Sequence, residues 1–219
     1  MRSIPVLLAG LLLSGALSCT ALTAQASARR TDPLLQDIER YLLLYAATGD
    51  DRFLVRLDSL GVVFESQLEG QKQAKALKDI WQLHQQTLLK VREAYSRKGI
   101  NLQQALQQTR EVAELFDSFL ASSSDSAPSM IGELRELALL EARGANRKLL
   151  GEPSATDSQR IEALRTSLQS HLEALPDTPE RNRLLAHWAY LRKSQAAGGT
   201  LLYPFNAQIE YLTTHAPQS

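Results

Sequence analysis

Cysteine is nearly missing from this chain. Cys19 is the only one among 219 residues, so no disulfide can form within it. If processing removes residue 19, no thiol nucleophile and no cysteine ligand for a metal remain. An excess of either charge is missing too, since 24 Lys and Arg balance 24 Asp and Glu. Without a basic surplus there is no bulk attraction to nucleic acid or to an anionic membrane. Strand signals are absent, because no alternating run of β-branched residues is bounded by turn residues. The short motifs that carry chemistry are missing as well. There is no H-E-x-x-H, no G-x-S-x-G, no P-loop and no dinucleotide fingerprint. The four histidines, His84, His171, His187 and His215, include no pair spaced i, i+4. These absences point away from an enzyme, a metal protein and a cofactor carrier.

What the chain does have is apolar content of 44%, enough for a core and against disorder. Some of it lies in the N-terminal segment. Met1-Arg2 supplies a positive end, and residues 4–17 are apolar apart from Pro5, Gly10, Ser14 and Gly15. That run is too short for a comfortable transmembrane helix and reads as a signal peptide. Two exits follow it. Ala24-Gln25-Ala26 is an A-x-A cleavage site, giving a signal peptide over residues 1–26. Ala16-Leu17-Ser18-Cys19 alternatively resembles a bacterial lipobox, with Cys19 lipidated. The first exit is preferred because Ala16 stands where a lipobox carries Leu. After cleavage at residue 26, 23 basic residues face 24 acidic ones. The expected location is periplasmic or secreted, with lipid anchoring in the envelope as the alternative and any membrane contact confined to that anchor.

Beyond the signal segment the apolar residues recur at helical spacing. Leu34, Ile38, Leu42 and Tyr45 form a first stripe, preceded by a polar lead-in over residues 27–32. Gly49 suits a left-handed C-terminal cap, and Asp50 or Asp51 the next N-cap. Phe53, Leu57, Leu60, Phe64 and Leu68 make the second stripe, closed by Gly70. Leu77, Ile80, Trp81, His84, Leu88 and Val91 make the third, closed by Gly99. Asn101 with Gln104 forms a capping box for a fourth helix, whose Leu102, Leu106, Thr109, Ala113, Phe116 and Leu120 keep heptad spacing. After Ser122-Ser123-Ser124-Asp125-Ser126-Ala127-Pro128 the order repeats. Ile131, Leu134, Leu137 and Ala138 open a helix that Gly151 closes, and Asp157 is an N-cap candidate. Pro176 and Thr178-Pro179 separate the next two helices, and Gly198-Gly199 precede a short last one. The predicted fold is all-α, an antiparallel helical bundle.

A longer correspondence divides that bundle in two. Leu57, Leu60, Phe64 and Leu68 recur 104 positions later as Ile161, Leu164, Leu168 and Leu172. Leu77 and Trp81 recur 107 positions later as Leu184 and Trp188, the extra three falling at Pro176-Asp177-Thr178. Two related four-helix units are therefore expected, over residues 27–124 and 125–219. Both indoles should be buried against their second helices, near Phe64 and Leu168.

Few side chains suggest chemistry. His84 and His171 lie near apolar stripes, where a hydrogen-bonded core histidine is expected, and His215 should be solvated. Glu111, Glu114 and Asp117 fall on an outer helical face, where solubility explains them. Trp81, His84, Trp188 and Tyr203 are the candidate ligand-binding residues: aromatic or imidazole groups beside stripes or at an interrupted helix start.

One stretch carries a resemblance. Residues 41–57 place a Leu-rich helix before Thr48-Gly49-Asp50, then Phe53-Leu54. This resembles the first hairpin of the extracytoplasmic four-helix sensory modules on bacterial histidine kinases and chemoreceptors. The resemblance covers about a tenth of the chain and implies a bundle that binds a small ligand or a partner. It carries over no ligand-binding residue. The expected function is an exported periplasmic binding protein for a small ligand or an envelope protein partner, sensory or adaptor in role. The alternative is a structural envelope lipoprotein held through Cys19.

Overall fold

The computed structural model describes residues 18–68, 74–96, 101–120, 129–195 and 200–217, with side chains left aside over 18–32 and 117–120. The described residues form eight helices and no strand. They are α1 (Ser18–Thr48), α2 (Asp51–Leu68), α3 (Ala74–Ser96), α4 (Leu102–Leu120), α5 (Met130–Leu150), α6 (Ala155–Ala174), α7 (Pro179–Ser194) and α8 (Leu202–His215). The fold is an all-α helical bundle. Gly70, Gly99, Gly198-Gly199 and the serine-rich stretch that was to divide the chain lie outside the described residues, as do residues 1–17.

Local chemistry sets most helix ends. Gly49 and Gly151 take φ 66° and 75°, the left-handed conformation that ends α1 and α5. At Gly151 the backbone N–H reaches the carbonyls of Arg147 and Lys148. Asp50 Oδ1 accepts from the Arg52 N–H at 3.0 Å, and Asn101 Oδ1 from the Gln104 N–H at 3.3 Å. Thr178 caps α7 through its hydroxyl, with Pro179 at the first helical position. Two expectations need correction. Ser154, not Asp157, caps α6, its hydroxyl accepting from the Asp157 N–H at 3.1 Å. Residues 27–32 are not a lead-in but part of α1, which continues through Pro33. A proline forfeits one backbone hydrogen bond and crowds the preceding turn, and here the helix continues on both sides of it.

α1 and α5 make the most extensive helix pair and form a shared spine. α2 and α4 pack on α1, α3 packs on α4, and α4 also touches α5. On the other side α6 and α8 pack on α5, and α7 on α8. Two apolar clusters result. One gathers α1 to α4 with Leu139 and Ala142 of α5, the other gathers α5 to α8.

Burial recurs between the halves at fixed intervals. Ala105, Leu106, Thr109, Val112 and Phe116 of α4 are buried, and so are the residues 100 positions later, Phe205, Asn206, Ile209, Leu212 and Ala216. Leu77, Trp81, His84 and Thr87 are matched 107 positions later by buried Leu184, Trp188, Leu191 and Ser194. Trp81 is 7% exposed and Trp188 2%. Trp81 packs on Phe64 with ring centroids 5.2 Å apart, and Trp188 shares a cluster with Leu168. Each indole N–H donates to a side chain on the preceding helix: Trp81 to Glu65 at 2.7 Å, Trp188 to Gln169. Glu65 and Gln169 are themselves 104 positions apart.

Candidate ligand-binding cleft

The four candidate residues read from the sequence fall in three separate places. Trp81 and His84 share one stack in the first cluster, rings 4.7 Å apart and nearly parallel. Trp188 belongs to the second cluster. Tyr203, 42% exposed, sits at the joint between α2 and α8, under the Arg52 guanidinium at 3.4 Å and 6.0 Å from the Phe53 ring. Arg52 is itself held by Asp50, so the Gly-Asp turn after α1 is tied to the start of α8.

His84 corrects an expectation. It is 1% exposed, yet neither ring nitrogen has a hydrogen-bond partner. Its other aromatic neighbour is Phe116, edge-on at 6.0 Å. Burial alone pushes the imidazole down from 6.5 to about 3, so the ring is neutral at ordinary pH. His171 is not a core residue: its side chain is 46% exposed and faces Glu133 at 3.2 Å. His187 and His215 flank the Tyr211 ring in a stack at the surface of α7 and α8. Among the described residues no group of three or more His, Cys, Asp or Glu is placed to hold a metal. Nor is any described helix long and apolar enough to cross a membrane.

Polar groups converge instead where α1, α4 and α5 meet. A cleft there is lined by Leu43 of α1, by Arg110, Ala113 and Glu114 of α4, and by Arg143, Asn146, Arg147 and Leu150 of α5. The α5 residues stand at i, i+3, i+4 and i+7, which is one helical face, and the α4 residues at i, i+3 and i+4. Its cavity volume is ≈30 Å³, within ≈360 Å³ of empty space that opens to solvent. That volume takes a few heavy atoms, and the rest of a ligand would point outward.

Each cleft arginine is held by a carboxylate from elsewhere in the chain. Arg143 binds Glu39 at 2.6 Å, Arg110 binds Glu152 and Arg147 binds Asp157. Glu39 is fully buried, and such a charge is tolerated only with close partners. The pairs fix the guanidinium groups without waiting for a ligand.

Two buried polar atoms of the lining residues make no hydrogen bond. Asn146, 2% exposed, donates through Nδ2 to the Leu43 carbonyl at 2.7 Å and the Ala142 carbonyl at 3.0 Å. Those carbonyls accept only, so the amide cannot be flipped, and Oδ1 must face away from them. Oδ1 is buried and has no partner. Arg110 Nε is also buried without a hydrogen bond, since Glu114 Oε1 stands 3.7 Å away. Leaving a buried donor or acceptor unmatched costs about 1–3 kcal/mol each. Both atoms are closed off from solvent, and the cleft's lining sets three arginines and Glu114 beside the apolar side chains of Leu43, Ala113 and Leu150.

Sequence reasoning missed Arg110, Arg143, Asn146 and Arg147. The one available signal was on α5, where arginines four residues apart interrupt an otherwise core-facing helix. Comparison with protein-family models, with curated proteins and with solved structures finds no significant match.

Proposed function

We propose that this chain is an exported, periplasmic helical-bundle protein that binds a small ligand in the cleft between α1, α4 and α5, in a sensory or adaptor role. It is not an enzyme and uses no cofactor. Its two halves, residues 27–124 and 125–219, are related four-helix units meeting along α1 and α5. The observation that carries the ligand reading is one solvent-open cleft in which Arg110, Arg143, Arg147, Glu114 and Asn146 converge beside Leu43, Ala113 and Leu150. A few convergent polar groups beside apolar side chains are how a pocket gives a small polar ligand affinity and orientation.

Native mass spectrometry of the full chain isolated from cells tests this. The expected spectrum contains a complex with a small molecule, released on unfolding. Arg110→Gln, at a half-exposed rim position, should lose the complex while keeping the helical circular dichroism spectrum. Ala113→Phe, which puts a ring into the cleft's lining, should lose it too. A wild-type spectrum with no complex under conditions that preserve other weak complexes would refute the reading.

Export rests on the apolar residues 4–17 and on Ala24-Gln25-Ala26. N-terminal sequencing is expected to find Ser27. A blocked terminus at a lipidated Cys19, lost in Cys19→Ala, selects the envelope-lipoprotein alternative, which Ser18-Cys19 favours. A mature protein beginning at Met1 rules out both.

A further inference from the structure

We propose that α3 is an acid-released arm of the first cluster, closed while the His84 imidazole is neutral and let go when that ring takes up a proton. The ring stands in the middle of the α3 stripe of Leu77, Trp81, His84, Thr87 and Val91, all buried. The Trp81 indole lies flat against it, and Phe116 of α4 meets it edge-on. An imidazolium is a charge carrying two N–H donors. Neither ring nitrogen has a hydrogen-bond partner here, and the ring is shut off from water. The face of an indole attracts a cation but offers no acceptor to either N–H. A proton therefore favours the state in which α3 has opened and the ring is hydrated.

Among the described residues no charge answers that proton. Glu65 of α2 accepts from the Trp81 N–H and from Gln85. Arg110 and Glu114 of α4 line the cleft, and Glu111 is exposed. Glu39 and Arg40 of α1 pair with Arg143 and Asp37. On α3 itself Lys78, Asp79, Lys90 and Arg92 are exposed. Burial is the cause that holds the imidazole down at about 3.

The packing makes the release local. The extensive contact of α3 is with α4, and its contacts with α1 and α2 are slight. Beyond that face it is tied by Trp81 against Phe64 and by the Tyr95 hydroxyl, which donates to the Ala46 carbonyl at 2.7 Å. α4 stays packed on α1 and α5 without it. Opening bares Trp81, Phe64 and Phe116 together, an apolar face that a partner meets only in acid. The second half lacks the device, because Leu191 of α7 stands buried 107 positions after His84.

Amide hydrogen exchange of the full chain, read by mass spectrometry and divided by the intrinsic rate at each pH, tests this. From pH 7.5 to 4.5 the opened fraction of residues 74–96 is expected to rise about 100-fold, or about tenfold per unit below 6.5. Residues 155–194 should hold theirs, and His84→Leu should abolish the rise. Fluorescence gives a second measurement. Trp188→Phe leaves Trp81 as the one indole, whose emission should shift to the red over the same interval. The emission of Trp188 in Trp81→Phe should not shift. An unchanged opened fraction over residues 74–96 would overturn the proposal. An equal rise in both halves would also overturn it, since acid then unfolds the whole chain. So would a rise that survives His84→Leu, because another group would then be the sensor.

Discussion

Replacing Trp188 by Ala is expected to lower the unfolding free energy by about 3–5 kcal/mol, the usual range for truncating a large buried aromatic. Trp188 is almost wholly enclosed in the α5–α8 cluster, and its indole N–H donates to Gln169. Truncation would leave a void and remove that hydrogen bond. Trp81→Ala should fall in the same range, towards its lower end, because Trp81 is more exposed and its Glu65 partner reaches solvent. Urea unfolding followed by far-ultraviolet circular dichroism measures both. The milder pair Trp81→Phe and Trp188→Phe then reports coupling. The two indoles lie in different clusters, so the losses should add to within about 0.5 kcal/mol. A loss below about 1 kcal/mol at either tryptophan would mean that it does not anchor its half.

Acid is expected to weaken the fold through His84. In the folded chain its pKa is about 3, below the ordinary 6.5 that it regains on unfolding. Between these values the unfolded state binds a proton that the folded state refuses. The stability contribution is therefore whole above pH 6.5 and is lost as pH falls towards 3. At about 1.4 kcal/mol per unit, the total is on the order of 4–5 kcal/mol, of which about 2 kcal/mol is lost by pH 5. Leu191 occupies the corresponding place in α7, which makes His84→Leu the natural comparison. That variant should lack this slope. At pH 7.5 it should be at least as stable as the wild type, because it removes two unmatched ring nitrogens. Urea titrations from pH 7.5 to 4.5 give the difference directly. Parallel curves for the two proteins would show that His84 finds a proton or a partner in the folded state.

The features legible in the sequence are those set within one or two helical turns. The stripes of α2 and α3, the capping of α4 by Asn101, the left-handed Gly49 and Gly151, and the Thr178-Pro179 start all follow from local spacing and backbone chemistry. The burial of both tryptophans follows from the same spacing. Residues 27–32 misled because they carry no apolar stripe of their own, yet they continue the helix that the stripe from Leu34 onward anchors. The cleft was hidden for another reason. Asn146 meets the Leu43 carbonyl across 103 positions, and Arg143 meets Glu39 across 104. No window of sequence contains either pair. Arg110 likewise meets Glu152 from 42 positions away. The unmatched state of His84 was equally out of reach, because spacing places a side chain in a core without saying what its nitrogens touch.

A crystal structure of the full chain as isolated from cells, without added ligand, tests the ligand cleft most directly. The predicted result is continuous non-protein density in the cleft between α1, α4 and α5, larger than water and extending over Leu43 and Leu150 towards solvent. The contradicting result is one or two ordered waters in the cleft and nothing more. The cleft would then be a hydrated packing joint between α1, α4 and α5.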